Sequence, residues 1–426
     1  MSESVPGQGA AEAPAGELIA AVNVKAANRS IAGVLVRTPT IASDELAEIA
    51  GTPVALKAEC LQGTGSFKLR GALHKVATLG ARASAGLVAA SAGNHGRAVA
   101  QAARVAGVGC EVFMPRDAAV SKVAAVERLG AEVRVGGGSV EEALALAGAR
   151  GEETGAAFVH PFDDLDVIAG QGTLGLELLE DVPALARVLV PVGGGGLASG
   201  VGIALRHARP DVELVGVQAR ACAPYVEALQ GRGSTVEVRA APEATIAPGA
   251  TIADGIAITR PGMLTLPLLR ELLDGLETVS EDEIADAMVF LADRAKLVAE
   301  GAGAVAVAAL LGGRLAPVAG TTVAIVSGGN VDSGLLAGLL RRRETEEGRR
   351  VRIFTRVPDR PGGLAELLNL LAGARANLLS LEHVREAVAL HVHETGVALT
   401  LQTRGPGHTE EVLTVLGDAG YEVTLE

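Results

Sequence analysis

The feature of this chain that most restricts its fold is the alternation of short apolar runs with stretches of helical composition. Apolar runs at 54–58, 87–90, 110–114, 131–135, 188–192, 214–218 and 322–327 predict strands, and residues 96–106, 121–129, 141–149 and 197–208 predict helices. Strands that alternate with helices in this way favour parallel sheets with helices on both faces. The pattern therefore predicts an α/β fold for most of the chain.

A second pattern begins after residues 341–350, a charged stretch that predicts a linker or a solvated helix end. Strands are then predicted at 352–357, 377–384, 396–402 and 422–425, with helices at 364–372 and 409–416, while residues 385–395 fit an extension of either neighbouring strand. The order βαββαβ is that of a ferredoxin-like module. With a first helix predicted at 17–32, we divide the chain into a flexible tail 1–19, a main domain 20–340, the linker 341–350 and a second domain 351–426.

Composition limits the partners and the location of the protein. The formal net charge of −13 disfavours nucleic acid and anionic membranes as partners, because both bind basic surfaces. The three cysteines, Cys60, Cys110 and Cys222, stand far apart and outside any CxxC or Cys/His cluster, so we expect no metal site. The N-terminus lacks the pattern of a signal peptide, and the apolar window 301–311 is followed by Arg314 before it could span a bilayer. We expect a cytoplasmic protein.

Four glycine-containing loops follow predicted strands, at residues 63–68, 91–96, 193–196 and 327–330. Ligands of parallel α/β sheets bind at the carboxyl ends of the strands. We therefore expect the chemistry of the chain in these loops. His160 and the aspartates of residues 163–166 lie outside them, and we interpret these residues as solvated surface.

Lys68 stands at the end of the first loop, where a glycine-rich sequence leads into a predicted helix. The positive end of a helix dipole lowers the pKa of an ammonium group, and a neutral amine is the form that reacts with carbonyl compounds. Taken alone, a solvated lysine is the commoner interpretation of such a residue. The other three loops decide between the two interpretations.

These loops offer complementary donors. Residues 91–96 supply backbone amides suited to a carboxylate and the amide side chain of Asn94, and the four glycines at 193–196 allow close approach of a phosphate. Ser327 supplies a hydroxyl that could face a ring nitrogen. Gly194, Gly196 and Gly200 also permit a dinucleotide-binding turn, but Gln218 stands where that motif requires an acidic residue.

In this order, the sequences GSFKLRGA, SAGNHG, GGGGL and SGGN resemble the motifs of the threonine dehydratases (threonine ammonia-lyases), which are fold type II enzymes that depend on pyridoxal 5'-phosphate (PLP). The resemblance covers about residues 20–340. It implies a fold similar to that of the tryptophan synthase β subunit, with two parallel-sheet α/β subdomains. It also implies a carbon–nitrogen lyase that eliminates water from L-threonine, giving 2-oxobutanoate and ammonia, and that also acts on L-serine.

The resemblance implies roles for individual residues. Lys68 matches the lysine that holds PLP as a Schiff base and removes the α-proton, and Phe67 matches the residue packed against the cofactor ring. The other matches are Asn94 for the donor to the cofactor hydroxyl, Gly193, Gly194, Gly195, Gly196 and Leu197 for the phosphate cradle, Ser327 for the partner of the pyridine nitrogen, and Ser91, Ala92, Gly93 and His95 for the loop that receives the substrate carboxylate. Glu300 is expected to support the site.

Different activities remain open within and outside this class. Serine racemases of this fold have a second serine where this chain has Ala92, which disfavours racemisation. Some relatives bind a divalent cation through a glutamate where this chain has Gln218, close to the repelling charge of Arg220, so no metal is expected there. Serine dehydration also remains open, as does a non-catalytic amino-acid sensor that kept the fold.

Residues 351–426 resemble an ACT domain, the amino-acid-sensing βαββαβ unit, through residues 357–364 and 377–380. The resemblance implies an effector site that includes Pro361, Gly362, Gly363 and Asn377, and assembly into a homodimer or homotetramer. A branched-chain amino acid is the expected effector, because isoleucine is the product of the pathway that threonine deamination feeds. A purely structural dimerisation module is the alternative, and the sequence leaves open whether the role is biosynthetic or catabolic.

Overall fold

The structure is a computed structural model that describes residues 14–91, 93–230, 236–239, 251–385 and 393–425. These residues form two compact units that divide between Val331 and Asp332. The helices of the first unit are α1 (Ala15–Ala21), α2 (Val24–Ile31), α3 (Asp44–Ala50), α4 (Lys68–Leu79), α5 (Asn94–Ala106), α6 (Val120–Glu127), α7 (Val140–Thr154), α8 (Leu165–Asp181), α9 (Gly196–Ala208), α10 (Pro224–Leu229), α11 (Thr265–Leu272), α12 (Glu281–Asp293) and α13 (Gly301–Leu311). Its strands are β1 (Thr40–Ala42), β2 (Val54–Ala58), β3 (Leu87–Ala90), β4 (Cys110–Met114), β5 (Glu132–Val135), β6 (Ala157–Phe158), β7 (Leu185–Pro191), β8 (Glu213–Ala219), β9 (Glu237–Arg239), β10 (Gly275–Val279) and β11 (Thr321–Val326).

Two sheets organise the first unit. The larger has the order β1-β2-β11-β7-β8-β10-β9, and the smaller has the order β5-β4-β3-β6. All neighbouring strands are parallel except β1, which pairs antiparallel with β2. The prediction of an α/β fold with two parallel-sheet subdomains is therefore confirmed.

The central strands of the larger sheet are apolar because helices cover both of their faces. Every residue of β2 is buried, as is every residue of β10. The predicted bounds of β2, β3 and β4 agree with the structure. The apolar window at 301–311 forms α13, a helix buried along nearly its whole length inside this unit. Among the described residues, every helix falls short of the length and apolarity that a membrane span requires.

The N-terminal region differs from the prediction of a tail followed by one helix at 17–32. Residues 15–31 form two helices, α1 and α2, and the backbone of Val22 between them is extended. Asn23 ends the first helical pattern because its side chain accepts a hydrogen bond from the backbone N–H of Ala26 at 2.9 Å and so begins a new helix. Leu18 of α1 is buried in the main core, so the predicted tail is wrong for this part; residues 1–13 lie outside the described residues.

The second unit contains helices α14 (Ser333–Glu346), α15 (Gly363–Gly373) and α16 (Pro406–Asp418) and strands β12 (Arg350–Pro358), β13 (Asn377–Val384), β14 (Glu394–Gln402) and β15 (Val423–Leu425). Its strands form one antiparallel sheet with the order β13-β14-β12-β15. After α14, the element order is the predicted βαββαβ, and the sheet order is that of a ferredoxin-like fold. The predicted hairpin extension at 385–395 lies largely outside the described residues.

The predicted linker at 341–350 is mostly helical. Helix α14 continues to Glu346, and it belongs to the second unit, so the division between units comes earlier than predicted. Ion pairs one turn apart stabilise this end of the helix, since Arg342 and Arg343 lie 2.8 Å from Glu346 and Glu347, respectively. Of the two interpretations of the charged stretch, the solvated helix end is the one the structure supports.

Candidate active site

The four glycine-containing loops meet at one cavity in the first unit. Each loop follows the carboxyl end of a strand, namely β2, β3, β7 or β11. Of the predicted site residues, Phe67, Lys68, Asn94, Gly193, Gly194, Gly195, Gly196, Leu197 and Ser327 line this cavity. The remaining lining residues are Phe162, Pro191, Gly255, Ile256, Glu300 and Ala302. Parallel-sheet topology therefore brings together residues that are far apart in the chain.

Lys68 is the first residue of α4 and points its amine into this cavity. The Nζ atom donates a hydrogen bond to the carbonyl oxygen of Pro161 at 2.8 Å and lies 5.2 Å from the ring centroid of Phe67. Burial lowers the pKa of Lys68 to about 8, although the charge of Glu300 opposes this shift. Burial is thus the main cause of the low pKa. A substantial fraction of this amine is neutral near physiological pH.

The glycine loop between β7 and α9 packs too closely against its neighbours to accommodate side chains at Gly193 and Gly194. Gly195 has a φ of +87°, and a Cβ atom on Gly193 would lie 2.9 Å from the Cα atom of Ile256. The carbonyl oxygen of Gly194 accepts hydrogen bonds from the hydroxyls of Thr265 at 2.8 Å and Tyr225 at 3.0 Å, which fix the loop. The loop leads directly into the 13-residue helix α9, and the first N–H groups of a helix, which its own carbonyls do not bind, suit an anion.

Phe162 is a lining residue that no motif in the sequence indicated. A Cβ atom on Gly194 would lie 2.1 Å from the ring of Phe162, so this ring covers the glycine loop. The segment that carries it is anchored by Asp163, whose carboxylate accepts from the backbone N–H groups of Met263, at 2.9 Å, and Leu264, at 2.8 Å. The interpretation of Asp163 as a solvated surface residue is therefore wrong. The strand before this segment, β6, has only two residues and gave no signal in the sequence.

Asn94 and Glu300 form the polar wall of the cavity. The Nδ2 atom of Asn94 donates to Oε1 of Glu300 at 2.6 Å. Glu300 is only 7% exposed. Burial, together with the charge of Asp254, raises the pKa of Glu300 to about 7, so the side chain changes charge near neutral pH. Glu300 contacts a predicted site residue directly, which is a closer role than the supporting one expected from the sequence.

Ser327 follows β11 and brings a hydroxyl to the cavity. Its Oγ atom donates to the carbonyl oxygen of Ala302 at 3.3 Å, a long hydrogen bond, and the hydroxyl can rotate to donate to a ring nitrogen instead. Its own carbonyl oxygen accepts from the backbone N–H of Phe67 at 3.1 Å, which ties this loop to the one that carries Lys68.

Among the described residues of the loop after β3, Asn94 is the one that lines the cavity. Ser91, Gly93 and His95 are absent from the lining described above, and Ala92 lies outside the described residues. The Ser91 hydroxyl accepts from the N–H of Gly93 at 2.9 Å, and Nε2 of His95 lies 2.8 Å from the carbonyl oxygen of Val159, to which it must donate. Burial lowers the pKa of His95 to about 3, so its ring stays neutral and braces the loop.

Gln218 has a structural environment rather than that of a metal ligand. Its side chain is fully buried, donates to the carbonyl oxygen of Val192 at 3.1 Å and accepts from the N–H of Tyr225 at 3.2 Å. Across the residues that the structure describes, no cluster of His, Cys, Asp and Glu side chains has the makeup of a metal site.

Comparison with known proteins identifies the class of enzyme to which this fold and its lysine-containing cavity belong. The family model "Pyridoxal-phosphate dependent enzyme" matches residues 31–328, so the chain belongs to this family, and pyridoxal phosphate is its cofactor. The predicted membership of the fold type II PLP enzymes is confirmed.

Its relatives narrow this class. The L-threonine ammonia-lyase of Thermotoga maritima is 44% identical over 410 residues, which cover 96% of this chain and all of that protein. The solved structure of a T.th. threonine deaminase is similar with a TM-score of 0.65 and 42% identity, covering 72% of this chain and 97% of that one. The structure of maize serine racemase gives a TM-score of 0.67 and 32% identity, covering 77% of this chain and 98% of that one.

Proposed function

We propose that this chain is an L-threonine ammonia-lyase, a carbon–nitrogen lyase that converts L-threonine to 2-oxobutanoate and ammonia. The observation that carries the proposal is the position of Lys68, an amine with a pKa of about 8, in one cavity with Asn94, the glycine loop and Ser327. The 44% identity to the Thermotoga maritima L-threonine ammonia-lyase, over its whole length, supports the choice of reaction.

The described residues fit PLP, because they offer a suitable group for each of its polar parts. Lys68 supplies the amine for its aldehyde, and the N–H groups of Gly193 to Gly196 and Leu197 supply donors for its phosphate. Asn94 supplies an amide donor for the ring hydroxyl, and Ser327 a hydroxyl for the ring nitrogen. Phe67 supplies an apolar face for the ring.

Lys68 performs the proton transfer in this proposal. Bound PLP provides a conjugated system that stabilises negative charge on the α-carbon of the substrate. With cofactor and substrate bound, Lys68 would be a free amine whose lowered pKa increases its unprotonated fraction, and its Nζ atom would remove the α-proton. The hydrogen bond to Pro161 keeps this atom directed into the cavity. Loss of the β-hydroxyl as water and later hydrolysis give the 2-oxo acid and ammonia, so atoms balance without a further reactant.

Ser327 favours elimination over reactions that need a long-lived carbanion. A hydroxyl beside the ring nitrogen does not force that nitrogen to be protonated, whereas a carboxylate would. The one carboxylate among the described lining residues belongs to Glu300, and it contacts Asn94. A ring whose nitrogen is unprotonated would withdraw less electron density from the α-carbon, which favours prompt loss of the β-substituent.

L-Serine is the second candidate substrate, since it also has a β-hydroxyl and the similarity to maize serine racemase is high. Racemisation would require an acid on the opposite face of the substrate. The residue that matches that acid in serine racemases is Ala92, which carries no proton to transfer. We therefore propose serine dehydration as a side activity and expect little D-serine.

The second unit is proposed to be an ACT domain that regulates the enzyme through a branched-chain amino acid. The match to the Thermotoga maritima protein covers 96% of this chain and so extends into this unit. Gly362 has a φ of +94° and Gly363 begins α15, so the turn between β12 and α15 presents the first N–H groups of a helix. These groups suit the carboxylate of an amino acid.

Asn377 does not join Pro361, Gly362 and Gly363 in one site within this chain. Asn377 pairs with Gln402, which pairs with Arg350, whereas the glycine turn follows Pro358 at the opposite end of β12. The length of β12 separates the two ends by roughly 27 Å. The edge strand β13 exposes Leu378 and Leu379, and antiparallel pairing of two copies through β13 would bring the Asn377 end of one beside the turn of the other. This supports a homodimer, or a homotetramer built from such dimers, with an effector site shared between copies.

A coupled assay of 2-oxo acid release tests the proposal. Purified protein is incubated with PLP and L-threonine, L-serine or D-serine, with and without isoleucine, valine or AMP. The proposal predicts release from L-threonine and a slower release from L-serine. It also predicts a change of rate with a branched-chain amino acid; an unchanged rate with isoleucine and valine would contradict the proposed effector class. Absence of turnover together with absence of visible cofactor absorbance would support a non-catalytic sensor instead.

A further inference from the structure

Asn330, the last residue of the loop after β11, joins three of the four loops of the site. Its Oδ1 atom accepts a hydrogen bond from the guanidinium of Arg97. Its Nδ2 atom donates to the carbonyl oxygen of Thr64 at 2.9 Å and to Oδ1 of Asn94 at 2.7 Å. A Cβ atom on Gly65 would lie 2.5 Å from Oδ1 of Asn330, so the amide also packs tightly on the loop that carries Lys68.

The chemistry of its partners allows Asn330 only one orientation. A guanidinium group can only donate hydrogen bonds, and a backbone carbonyl oxygen can only accept them. Oδ1 must therefore face Arg97, and Nδ2 must face Thr64. The same Nδ2 atom faces Asn94, which must turn its own Oδ1 atom towards Asn330.

The orientation of the Asn330 side chain fixes the orientation of the Asn94 side chain. With its Oδ1 atom held by Asn330, Asn94 directs Nδ2 to Glu300 at 2.6 Å and into the cavity. An amide nitrogen carries two N–H groups, and Glu300 uses one of them. The second remains for a ligand, and the carbonyl oxygen of Asn94 is turned away. The hydrogen bonds thus run in one direction, from Arg97 through Asn330 and Asn94 to Glu300.

We propose that Asn330, held by Arg97, is a positioning residue that makes Asn94 present an N–H group, and never its carbonyl oxygen, to the ring hydroxyl of the cofactor. The proposal rests on the proposed assignment of Asn94 to that hydroxyl. A donor at this point favours the ionised form of the hydroxyl oxygen, because hydrogen bonds to a charged form stabilise it. Loss of the fixed orientation is therefore expected to shift the pH at which the bound cofactor changes its visible absorbance.

The charged groups around Asn94 come from several elements. Lys68 belongs to α4 and Arg97 to α5. Glu300 precedes α13, and it feels the charges of Asp254, Lys122 and Arg97. Asn330→Asp adds a carboxylate to this set, which shifts the spectral titration by its charge alone. The uncharged variant Asn330→Leu is therefore titrated beside it, and only a shift that both variants share reports the orientation of Asn94.

The test is a spectral pH titration of the PLP-loaded full chain with Asn330→Asp. The carboxylate still accepts from Arg97 but cannot donate to Thr64 or Asn94. We expect the spectral midpoint to rise by about one pH unit or more, and kcat to fall about tenfold with a smaller change in KM. Asn23→Asp makes the same chemical change at an exposed position that caps α2, and it should leave the titration unchanged.

A double-mutant cycle separates positioning from general damage to the fold. Asn94→Ala should shift the midpoint in the same direction, and adding the uncharged Asn330→Leu should produce no further shift, because Asn330 acts only through Asn94. A purely structural role would instead lower the thermal midpoint of unfolding and leave the titration unchanged, or would give shifts that add. Either result would overturn the proposal.

A variant of Arg97 keeps the test decisive if the Asn330 variants do not fold. Arg97→Met leaves Asn330 intact but removes the donor that fixes its orientation, and we expect a smaller shift in the same direction. An unchanged titration in Arg97→Met would then overturn the proposal. Failure of the proposed function is recognised separately, since the unmodified protein would show no visible absorbance when PLP is added.

Discussion

The amine nitrogen of Lys68 lies 2.8 Å from the carbonyl oxygen of Pro161, and this contact joins the start of α4 to the segment after β6 at the cavity. Lys68 begins the helix that follows β2 of the larger sheet, whereas Pro161 follows β6 of the smaller sheet. The carbonyl oxygen accepts a hydrogen bond from the amine, but it carries no net negative charge that would favour the protonated form. Burial therefore lowers the pKa of Lys68 to about 8 without a carboxylate in direct contact to reverse the shift.

Replacement of Lys68 is expected to abolish turnover. Lys68→Ala removes both the attachment point of the cofactor and the base, so kcat/KM for L-threonine should fall by at least about 10⁴-fold. Lys25→Ala, at an exposed position on α2, is the matched control and should retain full activity. Stopped assays of 2-oxobutanoate measure both variants, and substantial turnover by Lys68→Ala would contradict the assigned role.

Glu300 is expected to make the stability of the apoprotein depend on pH. Its folded pKa of about 7 lies above the ordinary value of 4.5, so between these values the folded state retains a proton that the unfolded state has released. This contribution favours folding fully below pH 4.5 and is lost as the pH rises through about 7. Glu300→Gln should therefore gain thermal stability relative to the unmodified protein as the pH is raised from 5 to about 8.

Melting curves of both apoproteins across this range measure the effect. The quantity to compare is the difference between their thermal midpoints at each pH, which removes the contributions of all other titrating groups. A constant difference would show that Glu300 is already ionised at pH 5.

Gly194 is expected to be indispensable for cofactor binding. A Cβ atom there would lie 2.1 Å from the ring of Phe162, and a shift of the glycine loop would misdirect its N–H groups. Gly194→Ala should weaken PLP binding by at least about tenfold, which is about 1.4 kcal/mol. Fluorescence titration of the apoprotein with PLP measures it. Gly148→Ala, in α7 with open space around it, makes the same change and should bind PLP normally; equal affinities for both variants would contradict the assignment of the cradle.

Arg70 is expected to stabilise the helix that carries Lys68. Its guanidinium, fully buried, donates to Glu59 at 2.7 and 2.8 Å and to Glu177 at 2.7 and 3.0 Å. Burial alone would raise the pKa of Glu59, but the charge and hydrogen bonds of Arg70 lower it below its ordinary value. Arg70→Met leaves buried charge uncompensated and should reduce the free energy of unfolding by about 3–5 kcal/mol.

Urea denaturation followed by circular dichroism measures this loss. Arg82→Met, at an exposed position close to the end of the same helix, should change the free energy of unfolding by less than about 0.5 kcal/mol. A similarly small effect of Arg70→Met would show that the buried network contributes little net stability.

The sequence predicted β2, β3, β4, β5, β7, β8 and β11 because their apolar runs are short and continuous, but it missed the parallel strands β6, β9 and β10. The bounds of β2, β3 and β4 agree with prediction, as do those of the antiparallel strand β13. The ends of helices were predicted less accurately than those of strands. The side chain of Asn23 divides the predicted first helix into two, and the ion pair of Arg342 with Glu346 extends a helix into the predicted linker. These effects depend on individual contacts rather than on periodicity.

The candidate site was predictable only where a motif carried it. Lys68, Asn94, the glycines and Ser327 stand in loops whose sequences resemble known ones, and the fold brings them to one cavity. Phe162 and the anchoring role of Asp163 escaped prediction because they follow a strand of two residues. The separation of Asn377 from the glycine turn depends on strand register, which no local pattern in the second unit specifies.

The most direct test of the account is to locate the lysine that binds the cofactor. The PLP-loaded protein is reduced with borohydride, digested, and examined by peptide mass spectrometry. The account predicts that the reduced cofactor is found on the peptide that contains Lys68, and that Lys68→Ala protein carries none. Attachment to another lysine, such as Lys57 or Lys75, or the absence of any covalent cofactor, would contradict it.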